Sequence, residues 1–170
     1  MYPDNCRKLL FTIIFSLTNL ISSQSWALST DQDQPVSIEA DSVDIDEGTE
    51  TATYHGNVIL IQGSINLTAS RVVVHNFQSD NAHIVATGKQ VKFSQEEDKT
   101  GQLIKGRANK TEYGINSARL ELTGNASLIK GKNTFKNDRI IYDREKAVVK
   151  AGTSAKGKER VKITIGGKKQ

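Results

Sequence analysis

Beyond residue 27 the chain has no cysteine; the single one in the sequence is Cys6. That excludes disulfide staples and thiolate metal sites from the rest of the chain. Aromatic residues are 6% of the sequence, so few bulky rings are on hand to plug an interior. No Gly-x-Ser-x-Gly elbow and no glycine-rich phosphate loop ahead of a helix occurs. The three histidines, His55, His75 and His83, match no metal-ligand spacing. Asp41, Asp44, Asp46 and Glu47 are crowded together, but without the oxygen-ligand periodicity of a calcium loop. Asp44 and Asp46 read instead as the solvated face of a strand whose other face is Val43 and Ile45. Basic residues do not interleave with aromatic ones, so no nucleic-acid platform is expected. Paired carboxylates acting in three dimensions leave no sequence signature, and none stands out. The expectation is a protein with no catalytic residue, metal or cofactor.

What is present begins with a leader. Arg7 and Lys8 precede a mostly apolar run, Leu9 to Ile21, and Ser25-Trp26-Ala27 puts small residues where a signal peptidase reads. The run is short for a membrane span. Residues 1–27 are therefore predicted to be a secretory signal peptide cleaved after Ala27, the alternative being an N-terminal membrane anchor. Removing 27 of 170 residues leaves 143, enough for one domain. Taking Arg7, Lys8 and Asp4 out of a net charge of +4 leaves +3. The positive residues are scattered until Lys156, Lys158, Arg160, Lys162, Lys168 and Lys169. That basic end suits either a phosphate-bearing partner or a solvated, frayed terminus.

The remainder is written with a period of two. Val36, Ile38 and Ala40 alternate with polar residues; so do Ile65, Leu67 and Ala69, then Ala118, Leu120 and Leu122, then Val161, Ile163 and Ile165. Alternation of this kind, rich in β-branched residues, is the strand pattern. Gly, Asn and Asp recur between the runs as turn or bulge signals, and no amphipathic helix is evident. The pattern also repeats. At an offset of 68, Gly56-Asn57 matches Gly124-Asn125, Leu60-Ile61 matches Leu128-Ile129, Gly63 matches Gly131, and Arg71 with Val72-Val73 matches Arg139 with Ile140-Ile141. "TGKQVKF" (Thr87 to Phe93) and "IKGRANKTEY" (Ile104 to Tyr113) are weaker variants. One such unit cannot bury its apolar face alone, so stacked copies must share an elongated interior. By composition that interior reads first as a plain aliphatic core, since buried aliphatic rows are usually just packing, with an apolar groove as the alternative.

"QPVSIEADSVDID" (Gln34 to Asp46), "YHGNVILIQGSINLTASRVVV" (Tyr54 to Val74), "ATGKQVKF", "IKGRANKTEY" and "LTGNASLIKGKNTFKNDRIIYD", in that order, resemble the LptA (OstA-like) family of periplasmic lipopolysaccharide-transport proteins. The resemblance is densest at Gln34-Pro35, Gly56-Asn57-Val58, Gln62-Gly63 and Leu122-Thr123-Gly124-Asn125. Asn76 to Ala82 lacks the Pro-Gly-Gly-type turn of the family, and little matches beyond Ile165. The resemblance implies an all-β fold: an elongated, slightly twisted, open β-jelly roll of about sixteen short antiparallel strands over residues 28–165, with a basic tail at 166–170. It implies a periplasmic carrier of lipopolysaccharide that holds the acyl chains of lipid A in an apolar groove. The implied neighbours are inner-membrane LptC, outer-membrane LptD and further copies of the chain, head to tail, with membrane contact only through partners. The family's lipid-contacting positions fall on Val36, Ile38, Phe93, Tyr113 and Ile115. Val36 and Ile38 share one strand face by parity, as do Tyr113 and Ile115. Two other readings remain: an LptC-like component of the same bridge, against which the cleavable leader argues, and a secreted β-solenoid enzyme or adhesin acting on polysaccharide.

Overall fold

The computed structural model describes residues 31–166 apart from 80, 98, 99, 116 and 118. The predicted signal peptide and residues 167–170 lie outside the described residues. One antiparallel sheet of ten strands makes up the fold: β1 (Ser37–Glu39), β2 (Ser42–Asp46), β3 (Thr51–Gln62), β4 (Ile65–His75), β5 (His83–Glu96), β6 (Leu103–Gly114), β7 (Arg119–Lys130), β8 (Asn133–Asp143), β9 (Val148–Ala151) and β10 (Lys162–Thr164). The six long strands form a simple meander. β1 and β2 share one free flank of β3, and β9 and β10 share the free flank of β8.

All six long strands break register at one common level. The shifts fall between His55 and Val58, Thr68 and Arg71, Thr87 and Val91, Arg107 and Lys110, and Thr123 and Ala126. Such breaks bend a strand and increase its twist. Here they crease the sheet into two leaves. Leaf A holds β2, β9 and the strand halves on the His55 side of the crease; leaf B holds β1, β10 and the halves on the Val58 side. Each leaf has eight short strands, so the sixteen expected from the resemblance correspond to ten continuous ones. The repeated Gly-Asn pairs are the crease itself. Gly56 and Gly124 both have φ of 76°, and Asn57 and Asn125 follow at 43° and 50°. The repeated Gly63 and Gly131 open two-residue hairpins with φ of 57° and 58°, the backbone that such tight loops demand.

The leaves pack face to face around one apolar core that draws on both. Leu122 of leaf A fills the space left by Gly106 of leaf B: a Cβ at residue 106 would lie 3.1 Å from the leucine Cδ1. On the side away from the crease, polar side chains tie the leaves together. Arg144 donates from Nη1 to the Tyr113 hydroxyl at 2.8 Å, and its Nη2 lies 3.4 Å from Asp31 Oδ2. Asp31 also accepts from Gln95 Nε2 at 2.9 Å, from the Ser64 hydroxyl at 2.8 Å and from the Ser64 amide at 2.6 Å. The Tyr113 hydroxyl reaches Gln62 Oε1 at 3.4 Å. Beside it, Lys130 Nζ contacts Glu97 Oε1 at 2.6 Å, and the Tyr142 hydroxyl donates to the same oxygen at 3.3 Å. Asp31, Gln62, Gln95 and the Arg144 side chain are nearly sealed from solvent; the bonds among them offset much of the cost of that burial, while Gln95 Oε1 and Arg144 Nε have no partner among the described residues.

Two outcomes test this construction. At Gly56, a Cβ would meet the Asp41 carboxylate on top of the positive φ; at Gly101, with φ of 62°, nothing lies within 4 Å. Urea unfolding should show Gly56→Ala losing about 2–3 kcal/mol and Gly101→Ala only about 1 kcal/mol, the backbone contribution alone. The Glu97 carboxyl is held below its ordinary value of 4.5, first by the hydrogen bond from Lys130 and then by the Thr100 hydroxyl, against the opposing effect of burial. Its folded pKa is depressed, so the unfolded chain takes up that proton first as pH falls. The stability it contributes is present above pH 4.5 and is lost as pH drops through the folded value. Glu97→Gln should cost about 1–2 kcal/mol at neutral pH, and the gap from the parent should narrow as pH falls below 4.5 through the depressed folded value.

Candidate functional site

Strand register converts the sequence alternation into continuous apolar rows across the interior. In leaf A one row runs from Ile45 through Ala52, Val74, Ile84, Tyr113, Leu120 and Tyr142 to Val149, each directly opposite the next. In leaf B the facing row runs from Ile38 through Leu60, Leu67, Phe93, Gly106, Leu128 and Phe135 to Ile163. With strands about 4.8 Å apart, eight in a row span about 34 Å. Both rows traverse the molecule from one edge to the other.

Burial along these rows is uneven, and the unevenness locates the site. Mid-row residues are sealed. At the β1–β2 edge, Val43 is 48% and Ile45 60% exposed; at the β9–β10 edge, Ile163 is 53% exposed. The sequence alternation marked Val43 and Ile45 as a buried face, but β2 is the last strand of leaf A, and among the described residues no strand lies beyond it to cover them. At that edge the leaves diverge around an open apolar cavity of about 330 Å³, lined by Val36, Ile38, Ile45, Ala52, Tyr54, Val74, Phe77, Ala82, Ile84 and Ile115.

Three of the five positions singled out from the sequence, Val36, Ile38 and Ile115, share this cavity. The other two lie deeper. Phe93 is 2% exposed on the leaf B row, and Tyr113 is equally buried on the leaf A row, with its hydroxyl in the polar clasp. Sequence reading missed Tyr54, Phe77 and Ala82 as cavity walls. Tyr54 could have been found by parity with Ala52; Phe77 could not, because it sits in the turn after β4 and reaches the cavity through the fold of that turn. Asp31, Gln62, Gln95 and Arg144 were also missed, since their meeting is set by how the leaves close.

The remaining polar candidates hold no chemistry-bearing arrangement. His75 and His83 stack with ring centroids 4.7 Å apart at the ends of β4 and β5. Burial, then the neighbouring charges of His83 and Arg71, hold the His75 imidazole below its ordinary 6.5. Among the described residues no group of three His, Cys, Asp or Glu side chains could hold a metal ion. The acidic cluster is a solvated edge: Asp46 accepts from the Thr49 amide at 3.1 Å in the turn after β2, and that bond leads the effects that lower its pKa. The cavity's chemistry is that of apolar contact.

Comparison with known proteins agrees with this geometry. Residues 37–148 match the family described as "LptA/(LptD N-terminal domain) LPS transport protein". The lipopolysaccharide export system protein LptH of Pseudomonas aeruginosa is 31% identical over 142 residues, 82% of this chain and 81% of the relative. Its Escherichia coli K12 counterpart LptA is 33% identical over 138 residues, 79% and 74% of the two chains. A shorter match, 42% over 67 residues, falls in the LPS-assembly protein LptD of Vibrio cholerae and covers 39% of this chain and 8% of that one. The crystal structure of P. aeruginosa LptH, described as the LptA-homologous periplasmic component of the lipopolysaccharide transport device, superposes with a TM-score of 0.72 at 27% identity, covering 81% of this chain and 99% of that one. The chain belongs to the LptA/LptD N-terminal-domain family of lipopolysaccharide transport proteins.

Proposed function

We propose that the chain is a periplasmic lipopolysaccharide carrier that shelters lipid A acyl chains between its leaves and bridges LptC at the inner membrane to LptD at the outer membrane. The observation that carries this reading is the pair of apolar rows that cross the whole interior, one exposed at Ile45 on the β2 edge and the other at Ile163 on the β10 edge. An enzyme pocket would end in a closed, polar-tipped cavity. A conduit needs a continuous greasy surface without a deep well. Each buried methylene is worth about 0.8 kcal/mol, so a multi-acyl lipid does not cross water unshielded on a useful timescale. Val36, Ile38 and Ile115, at the open cavity, are the first residues to meet an acyl chain. Phe93 and Tyr113 lie further along the same interior and meet it once the leaves part. The edges suit head-to-tail stacking. Glu39, Asp41, Asp44, Asp46 and Glu47 crowd one, and Lys156, Lys158, Arg160 and Lys162 the other, with the ends of the apolar rows exposed beside them. Heterologous pairing of this kind need not close into a ring.

Ile38→Asp places a carboxylate at the cavity, where it must lose water when an acyl chain arrives. It should weaken lipopolysaccharide binding by about tenfold or more while circular dichroism stays β-rich, and Ile38→Ala should fall between. Unchanged binding by folded Ile38→Asp would place the lipid elsewhere. Phe93→Asp should instead unfold the protein, because it buries a charge in the dry core. For stacking, Glu39→Lys combined with Asp44→Lys reverses exposed charges at one edge. Light scattering should show the parent growing with concentration, less so in high salt, and the double variant remaining monomeric. A double variant that assembles like the parent would rule out this edge pairing.

A further inference from the structure

The outward face of leaf B carries a row of cations that the interior does not explain. Lys92 lies directly opposite Arg107, Arg107 opposite Ser127, Ser127 opposite Lys136, and Lys136 opposite Lys162. Lys105 stands two residues along β6 from Arg107, and Arg160 stands beside Lys162. All six cations are exposed. Like charges directly opposed on neighbouring strands are destabilising, and this row has two such pairs. Among the described residues, none of these side chains is in an ion pair. The outward face of leaf A shows the contrast. There Glu112 opposes Glu121, and the chain neutralises that pair itself: Lys110 contacts Glu112 at 2.5 Å, while Arg139 and Arg119 contact Glu121 at 2.6 and 3.4 Å.

The row is also shaped. Two adjoining hollows of about 440 and 340 Å³ share Arg107. The first combines Lys92, Lys105 and Arg107 with Ile129 as an apolar floor and Asn66, Thr68 and Ser94 as polar walls. The second holds Lys136, Arg160 and Lys162 around Ser127, with one carboxylate, Glu159, among them. Ser127 is only 9% exposed, and its Oγ has no hydrogen-bond partner. A buried hydroxyl without a partner, flanked by these cations, is a donor available to an anion.

We infer that this trough binds the polar head of the carried glycolipid: a saccharide bearing two or more phosphate or carboxylate groups, its charges on the cations and a sugar face on the apolar floor. The inference rests on the carrier reading above and extends it from the acyl chains to the headgroup, which stays outside the leaves. Position separates the centre of the trough from the stacking edges. Arg160 and Lys162 lie at the β10 flank that stacking uses, but Lys92, Lys105 and Arg107 are on β5 and β6, in the middle of the strand order, about 14 Å or more from either flank.

The test uses the full chain and a bisphosphorylated glucosamine disaccharide stripped of its acyl chains, titrated by calorimetry. The parent should bind it saturably and more weakly as salt rises. Lys92→Gln combined with Arg107→Gln should weaken that binding by about tenfold or more, while Lys92→Arg combined with Arg107→Lys retains most of it. A fluorescent acyl probe should bind the parent and the glutamine variant equally. The inference is overturned if the disaccharide does not bind, if its phosphatase-treated form binds as well, if inorganic phosphate competes at equal concentration, if phosphatidylglycerol vesicles bind in its place, or if the glutamine variant matches the parent. Acyl binding without disaccharide binding sinks the trough alone; loss of acyl-probe binding in the parent sinks the carrier reading instead.

Discussion

The shared register break across β3 to β8 is the constraint on which everything else hangs. A flat ten-stranded sheet would leave its apolar face in water. Creased at one level, the same sheet supplies both walls of an interior, and its hydrogen bonding runs through the fold. The crease needs left-handed backbone at fixed points. Gly56-Asn57 and Gly124-Asn125 provide it, in the two residue types that adopt it most readily. Because the break falls at the same level in each strand, the leaves stay in step, and every interior row runs straight from edge to edge.

That geometry divides the molecule by chemistry. The inside is aliphatic, and Ile45 and Ile163 are exposed at its two ends because, among the described residues, no further strand stands beyond β2 or β10. The seam opposite the crease is held by polar groups buried with their partners, an arrangement that resists while intact and loses much of its hold when one member is removed. A closure of this kind lets the leaves be firm at rest and separable under load. A seam packed with aliphatic side chains would merge with the interior and offer no defined line along which to part.

Much of this was legible in the chain. The period-two runs put Ile38 on an inward face, the resemblance singled out Phe93, and register set the two in one row. The doubled Gly-Asn pattern announced two equivalent irregularities, although whether they were turns or bulges depended on pairing with neighbouring strands. Asp31 and Arg144 are 113 positions apart, and only the closing of the leaves brings them together. The exposure of Val43 and Ile45 was equally hidden, because alternation says which side chains share a face and nothing about what lies across from it. Phe93 and Tyr113 were singled out as contacts, yet their depth depends on how far the leaves close, which a one-dimensional pattern does not encode.

The 68-residue repeat carries one more implication. It relates β3 and β4 to β7 and β8, four strands further along, hairpin glycine for hairpin glycine and crease for crease. A shift of four strands is about 19 Å along the roll axis, and it maps one cross-section onto an equivalent one. The fold is therefore a length cut from an extrudable profile. Another four strands would add span without changing the bore, the crease or either terminal surface, so the distance such a molecule covers and the cargo it admits are independent variables.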